Sequence, residues 1–191
     1  MEMKIKTIGV MNSLEVRKPN LKKILPTLIP QFDKFILNTI DYNNDIKDID
    51  CFNVGDKGSE YRLIHYNQFS YGYYFCLDDD ILYPDDYVKK MVELSKELGV
   101  VGVHGYIQGK RHNFRQSLNG KYTTNRLGVG TVCIPCGLLD IDISNWERNK
   151  SDEQFSNLCK ASGVDMYVVP RKYKWLTPLP DYGKSIYRGT I

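Results

Sequence analysis

No apolar run in this 191-residue chain approaches the roughly 20 residues that a transmembrane helix needs. The first six residues, 1–6, also lack the apolar core of a signal peptide. The chain has no internal repeat and no low-complexity tract, and its 42% hydrophobic content is enough for one substantial core. We therefore expect a soluble, cytoplasmic protein with one domain that spans residues 1–191.

An excess of charge of one sign is also missing. The 26 Lys and Arg residues nearly balance the 23 Asp and Glu residues, which leaves a net charge of +3. The basic residues are scattered among acids and form no single run, whereas nucleic-acid binding proteins concentrate them in a patch or stripe. A nucleic-acid partner is therefore not expected.

Cysteines are few, odd in number and set mostly in apolar surroundings, which predicts reduced core thiols. They are Cys51, Cys76, Cys133, Cys136 and Cys159. Cys133 and Cys136 have CxxC spacing, but no second CxxC accompanies them and no thioredoxin-like helix follows. We expect no metal or redox function for this pair.

Strand and helix signals alternate along the chain. Apolar strands are predicted at 5–10, 35–37, 51–54, 73–77, 100–103, 129–134 and 168–170. Helices are predicted at 21–29 with Asn20 as N-cap, at 59–69, at 84–98 with Pro84 in the first turn, and at 151–161. Residues 106–126 are polar and suggest a mobile loop or hairpin. This order favours an α/β fold with a largely parallel sheet and substrate loops at one edge.

The apolar run Tyr73–Leu77 passes directly into Asp78, Asp79 and Asp80. If the chain remains extended, Asp78 and Asp80 point to one side and Asp79 to the other. Two carboxylates on one side suit Mg²⁺ or Mn²⁺, which also binds water and substrate phosphates. The carboxyl end of a strand is where open α/β sheets bind ligands. The pattern predicts a metal site for a phosphate ester, with a solvated turn as the alternative.

Motifs along nearly the whole chain resemble those of metal-dependent glycosyltransferases of the GT-A fold, in the family-2-like inverting group that includes compact viral and bacterial enzymes. They are Ile8-Gly9-Val10, the DXD motif Asp78-Asp79-Asp80, Tyr83–Tyr87, Val101–Gly105, Gly128–Thr131, Asp152, Val169–Trp175 and Ser185–Tyr187. The resemblance implies a Rossmann-like, mostly parallel sheet flanked by helices, with a small antiparallel portion in the C-terminal half. It further implies a nucleotide-binding half at about 1–80 and an acceptor-binding half at about 81–191.

The resemblance also implies the chemistry. The donor would be a nucleoside-diphosphate sugar, most simply a UDP-sugar, and the acceptor a glycan, a glycoprotein or a lipid-linked molecule. Asp80 would bind Mn²⁺ or Mg²⁺, while Asp78 would contact the metal through water or the donor ribose. Asp152 matches the position of the general base, with Glu153 as its rival. Helix N-terminal charge is the structural alternative for both acids.

The residues expected to contact the nucleotide follow the first three strands and include the acidic motif. They are Met11, Asn12 and Arg17, then Asn38 and Asp41, then Asp56, Lys57 and Gly58, and finally Asp78, Asp79 and Asp80. Gly58 would let the backbone approach the ligand, and Lys57 could meet a phosphate. Ordinary turn chemistry is the alternative. His104 and Arg115 are secondary candidates, for acceptor or metal and for diphosphate respectively.

The C-terminal part departs from the family pattern. Many relatives supply a third metal ligand there, often His, but no His follows His112. The tail 171–191 is basic and aromatic instead, so it would close over the diphosphate or contact an anionic membrane surface at the periphery. A packed segment with snorkelling lysines is the alternative.

Two other functions remain open. A sugar nucleotidylyltransferase shares the α/β pattern and the metal, but no Gly-rich phosphate loop followed by Arg and Lys lies near the N-terminus. A non-catalytic Ca²⁺-binding or carbohydrate-binding module is the second, yet the segment Asp78–Asp86 lacks the central Gly and spaced acids of an EF-hand loop.

Overall fold

The structure is a computed structural model that describes residues 6–44, 46–47 and 49–182. Within them the strands are β1 (Thr7–Leu14), β2 (Lys34–Ile40), β3 (Asp50–Asn53), β4 (Tyr73–Asp78), β5 (Ile81–Leu82), β6 (Val100–Gly102), β7 (Gly105–Ile107), β8 (Lys110–His112), β9 (Tyr122–Thr124), β10 (Thr131–Pro135), β11 (Met166–Val168) and β12 (Thr177–Pro178). The α-helices are α1 (Lys18–Leu28), α2 (Tyr87–Leu98) and α3 (Ser151–Ala161). Shorter 3₁₀ turns lie at Glu15–Arg17, Ile29–Gln31, Ser59–Leu63 and Tyr66–Gln68.

Eight of these described strands form one sheet in the order β3-β2-β1-β4-β10-β6-β11-β9. The four strands from β3 to β4 are mutually parallel, as are β6 and β11. β10 runs antiparallel between β4 and β6, and β9 is an antiparallel edge strand. The prediction of a mostly parallel α/β sheet with an antiparallel portion in the C-terminal half is confirmed.

Two apolar clusters cover the two faces of the sheet. Because side chains alternate along a strand, Phe75 and Leu77 of β4 pack with α1 and α2, while Tyr74 and Cys76 pack with α3. The helices thus flank the sheet on both sides. Because the helices cover the faces of the sheet, the carboxyl ends of the parallel strands remain available for other contacts.

β1 is longer than its apolar run. The predicted strand ended at Val10 and was followed by a polar turn, but β1 continues to Leu14. Asn12 remains in the sheet because it lies between Asn38 of β2 and Asp78 of β4. Ile5, where the prediction began, lies outside the described residues.

The helix predicted at 59–69 is wrong, since two 3₁₀ turns occupy this segment. Carbonyl groups that an α-helix would use internally accept bonds from other elements. Tyr61 O accepts from Asn38 Nδ2 at 3.2 Å, and Arg62 O accepts from the Tyr74 hydroxyl at 2.7 Å. These tertiary hydrogen bonds replace the helical pattern.

The first and third predicted helices begin elsewhere. α1 begins at Lys18 with Pro19 in its first turn, so Asn20 is inside the helix and is not its N-cap. α2 begins at Tyr87, not at Pro84. Gln31 explains the late start of α2, because its side chain accepts from Val88 N at 3.1 Å and donates to Pro84 O at 3.0 Å.

The predictions for the last helix, for the polar segment and for the cysteines agree with the structure. The helix at 151–161 is confirmed as α3, and the polar segment 106–126 contains the β7–β8 hairpin and β9. No disulfide joins the five cysteines in the described structure, and burial raises the pKa of Cys133 and of Cys136, whose pKa is about 11. No helix in the described part of the chain has the length and apolarity to cross a membrane.

Candidate functional site

A cleft of about 780 Å³ lies where β1 and β4 end. Asn12 of β1 and Asp78 of β4 are register partners on adjacent strands, and both line the cleft. Asp152 of α3 and the segment 178–181 line it as well. The position agrees with the rule that open α/β sheets bind ligands at strand carboxyl ends.

Two hydrogen bonds hold Asp78 at the cleft. Arg62 Nη1 donates to Asp78 Oδ1 at 2.6 Å, and the Asp78 amide donates to the Tyr83 hydroxyl at 2.8 Å. A Cβ atom at Gly130 would overlap the Asp78 carboxylate, so the lack of a side chain at Gly130 leaves room for Asp78 in this position. Burial alone would lower the pKa of Arg62, but Asp78 raises it above its ordinary value. Arg62 therefore stays charged.

The surroundings of Asp79 indicate a structural role for this acid. Its Oδ1 accepts from Arg17 Nη1 at 2.6 Å and its Oδ2 accepts from Leu14 N at 3.1 Å, with 3% of the residue exposed. β4 ends at Asp78, so the predicted strand alternation does not extend through the motif. The contrast in burial nevertheless holds, because the side chains of Asp78 and Asp80 are 26% and 28% exposed.

Asp80 is the least compensated of the three acids. Burial and then the nearby negative charge of Asp78 raise its pKa to about 7, and its nearest cation is Arg17 Nη1 at 3.6 Å. A divalent cation would offset this excess of negative charge, and carboxylate oxygens are the ligands that Mg²⁺ and Mn²⁺ prefer. The oxygens of Asp78 and Asp80 therefore fit such an ion.

The described residues contain no group of three or more His, Cys, Asp or Glu side chains placed to hold a metal together. A cation at Asp78 and Asp80 would therefore complete its coordination with water and substrate phosphates. Mg²⁺ commonly binds in this way, through one or two carboxylates.

Asp152 lies in the first turn of α3, with its carboxylate held at the cleft. Val129 N donates to Asp152 Oδ1 at 2.8 Å. Burial is the main cause that raises the pKa of Asp152, and the charge of Asp78 raises it further. Glu153 instead is half exposed, lies 3.8 Å from Arg126 and is not part of the cleft lining. Of the two predicted bases, Asp152 has the position for chemistry.

The residues predicted to contact the nucleotide divide into two sets. Those that line the cleft are Asn12, Arg17, Asp56, Gly58, Asp78, Asp79 and Asp80. Those outside its lining are Met11, Asn38, Asp41 and Lys57. Met11 is fully buried in the α1 and α2 core because strand alternation turns it away from Asn12. Asp41 and Lys57 are exposed.

Asn38 acts on the cleft through Asn12. Its Nδ2 donates to Asn12 Oδ1 at 3.1 Å, and Asn12 Nδ2 donates to Gly58 O at 3.2 Å. His65 Nε2 lies 3.1 Å from Asn38 Oδ1. Gly58 has φ +94°, and a Cβ there would overlap the Glu60 carboxylate. This buried chain of amides fixes the loop that brings Gly58 to the cleft.

The loop before α3 is tied to the loop after β3. The Ser59 and Ser151 hydroxyls lie 2.8 Å apart, and Ser59 N donates to Asn149 Oδ1 at 3.1 Å. Arg148 and Asp56 form an ion pair in which both side chains are half exposed. Asp56 is therefore already paired with a cation in this structure.

The C-terminal segment packs on the acidic motif. Leu179 N donates to Asp80 O at 2.7 Å, and Asn20 Nδ2 donates both to Asp79 O at 3.0 Å and to Pro180 O at 2.9 Å. Residues 178–181 also line the cleft. The predicted basic tail continues to residue 191, and its residues 183–191 lie outside the described part.

Several residues of the site gave no sequence signal. Arg62 belongs to a segment predicted as a helix, and Asn20 was assigned to a helix cap. Tyr83 and Gly130 lie in motifs that carry the resemblance, but their contacts with Asp78 depend on strand packing. No spacing rule links Arg62, Asn20 or Gly130 to the acidic motif, because they are distant from it in the sequence.

The two secondary candidates line the cleft. His104 stacks on Phe114 with ring centroids 4.9 Å apart and an angle of 18°. Burial lowers the pKa of His104 to about 4, so the ring is neutral at pH 7. Arg115 also belongs to the lining.

The sequence matches no protein-family model and no curated protein. The interpretation of the cleft therefore rests on its own residues and geometry.

Proposed function

We propose that this protein is a GT-A glycosyltransferase that moves a sugar from a nucleoside-diphosphate sugar, most simply a UDP-sugar, to an acceptor hydroxyl. The observation that carries the proposal is the convergence of Asp78, Asp80 and Asp152 on one cleft at the carboxyl end of β4. The placement of antiparallel β10 between β4 and β6 supports the GT-A assignment.

Asp80 would hold a Mn²⁺ or Mg²⁺ ion, with Asp78 as the second carboxylate. Burial and then the negative charge of Asp78 raise the pKa of Asp80 to about 7, and this supports the role because a bound cation would favour the ionised carboxylate. The bound ion would neutralise the charge that grows on the leaving diphosphate.

Asp152 would act as the general base. The acceptor oxygen forms a bond to the anomeric carbon while the bond from that carbon to the diphosphate oxygen breaks. The nucleoside diphosphate leaves with the bonding electrons, and the acceptor proton passes to the Asp152 carboxylate. The hydrogen bond from Val129 N holds this carboxylate in position, and its raised pKa makes it a better proton acceptor than an exposed aspartate.

The two parts of the cleft suggest a division of labour. The loops of residues 1–80, which include Asn12 and Gly58, would receive the nucleotide. Residues 81–191, which supply Asp152 and His104, would receive a glycan, a glycoprotein or a lipid-linked acceptor.

A product assay tests the reaction class. The protein is incubated with a panel of nucleotide sugars, Mn²⁺ and mixed glycan acceptors, and the nucleotide products are separated by chromatography. Release of nucleoside diphosphate that Asp80→Asn abolishes supports the proposal. Formation of nucleoside triphosphate from added pyrophosphate would instead indicate a nucleotidylyltransferase. Binding of sugars without any turnover would indicate a carbohydrate-binding module.

A further inference from the structure

Four arginines of the C-terminal half line the cleft, of which Arg148 is paired with Asp56 and the other three are Arg111, Arg115 and Arg126. Arg111 belongs to β8, Arg115 follows it, and Arg126 follows β9. The carboxylates that line the cleft are those of Asp56, Asp78, Asp79, Asp80, Asp152 and Asp181. Arg126 and Glu153 form a salt bridge of 3.8 Å, but both side chains are about half exposed, so the salt bridge contributes little to stability.

Arg115 makes no ion pair with any carboxylate of the described residues. Its guanidinium lies over the Phe114 ring, 5.7 Å from the centroid, and its backbone N donates to Asn113 Oδ1 at 2.9 Å. The local fold thus presents this cation to the cleft without neutralising it. Phe114 in turn stacks on His104, which gives the same wall a flat aromatic surface.

Arg171 anchors the loop that carries Phe114 and Arg115. It is 3% exposed, and its guanidinium donates to Asn113 O at 2.7 Å and to Val169 O at 3.1 Å. Leu118 and Arg171 exchange two backbone hydrogen bonds of 2.8 Å. Burial lowers the pKa of Arg171 to about 10, and its Nε has no partner in the described structure. A further positive charge therefore lies behind this wall.

One of these arginines, Arg126, also lies close to the proposed base. Asp152 is near enough to Arg126 for that cation to lower the carboxyl pKa, against the larger effect of burial. An acceptor whose hydroxyl faces Asp152 would therefore place its neighbouring groups beside a wall of cations. A neutral acceptor would leave Arg115 without an anionic partner among the described residues.

We infer that the acceptor carries an anionic group, a carboxylate or a phosphate, which Arg111, Arg115 and Arg126 bind while its hydroxyl faces Asp152. The inference rests on the proposed function in so far as it calls the bound molecule an acceptor. The anion site itself does not depend on that function. Guanidinium groups match both anions because their N–H groups form paired hydrogen bonds with two oxygens.

The test uses inorganic phosphate and acetate as probes, each titrated calorimetrically into metal-free protein at constant ionic strength. The test variant is Arg111→Gln/Arg115→Gln/Arg126→Gln. The matched control, Lys22→Gln/Lys23→Gln/Lys160→Gln, removes the same charge from exposed helix positions. We expect saturable binding of one probe in the wild type and the control, and binding weaker by about tenfold or more in the arginine variant. The probe that binds more tightly identifies the anion.

The inference is wrong if neither probe binds saturably, or if both triple variants weaken binding equally. Affinity for nucleoside diphosphate with Mn²⁺ is measured on the same proteins. An equal, tenfold loss of nucleotide affinity in the arginine variant would assign the arginines to the donor diphosphate and also overturn the inference. If the anion site is present and no protein binds nucleotide, the proposed function fails while the anion site stands.

Discussion

At the scale of single residues, three adjacent aspartates have three different surroundings. Asp79 is buried against Arg17, Asp78 is paired with Arg62, and Asp80 has its nearest cation 3.6 Å away. A run of identical side chains thus supplies one buried acid, Asp79, and two partly exposed acids at the cleft. The sequence predicted this division from strand alternation, but the partners Arg17 and Arg62 account for it.

Asp80→Asn should remove Mn²⁺-dependent nucleotide binding and leave the fold intact. Because the folded-state pKa of Asp80 is raised to about 7, its ionised form destabilises the folded protein above that pH. Wild-type stability from this group therefore rises as the pH falls from 7 toward 4. The metal-free variant should melt at the same or a higher temperature than wild type at pH 8, as scanning calorimetry would show.

Asp79→Asn is the control for that experiment. It leaves Arg17 buried with its closest partner gone, which should cost about 3 kcal/mol, or roughly 6 to 12 °C in melting temperature. A stable Asp79→Asn protein that has lost metal-dependent binding would exchange the roles of the two acids.

Asp152→Asn should lower kcat by about 10²- to 10⁴-fold with nucleoside diphosphate affinity almost unchanged, because a base does not contact the nucleotide. The pKa of Asp152 is raised, so wild-type kcat should fall with decreasing pH at a value above that of an ordinary aspartate. Rate profiles from pH 4 to 8 check both points. Glu153→Gln should be mild, and the reverse ranking would transfer the role of base to Glu153.

At the scale of elements, the junction before β10 positions Asp78. The Cβ of Gly130→Ala would overlap the Asp78 carboxylate, so the acid must move. We expect nucleotide affinity in Mn²⁺ to fall about tenfold or more, and stability to fall by about 1 to 3 kcal/mol. Titration of nucleotide into the variant measures the first effect.

Gly163→Ala is the matched control. Gly163 has φ +67° with nothing within 4 Å of the added Cβ, so the variant loses about 1 kcal/mol through backbone strain far from Asp78. Its nucleotide affinity should equal that of wild type. Equal binding losses in both variants would mean that destabilisation alone causes the effect.

Elements with a clear period could be predicted from sequence, and those shaped by distant partners could not. The α3 bounds followed from local signals, whereas Gln31 delays the start of α2. The same distinction applies to the site. Asp78 and Asp80 could be predicted because they follow an apolar strand signal, and Asp152 was predicted from the family resemblance, but the Arg62 contact depends on how the segment after β3 folds back.

At the scale of the whole molecule, the sheet brings acids from both halves of the chain to one cleft. A single carboxylate base opposite a leaving group implies one displacement, which inverts the anomeric centre. We predict that an α-linked donor gives a β-linked product and that a β-linked donor gives an α-linked product. Proton NMR couplings of donor and isolated product decide this. Retention would remove Asp152 from the role of base without affecting the metal site.

The central claim is that Asp78 and Asp80 form a metal-dependent nucleotide site, and a thermal-shift panel tests it most directly. Nucleoside diphosphates are added with Mn²⁺ or with chelator to the wild type and to Asp80→Asn. A ligand at about 100 times its Kd adds about 2.7 kcal/mol, or roughly 5 to 10 °C. We predict this shift for at least one nucleotide in the wild-type protein with Mn²⁺, and no such shift in chelator or in Asp80→Asn. An equal shift in chelator or in Asp80→Asn, or no shift with any nucleotide, would contradict the account.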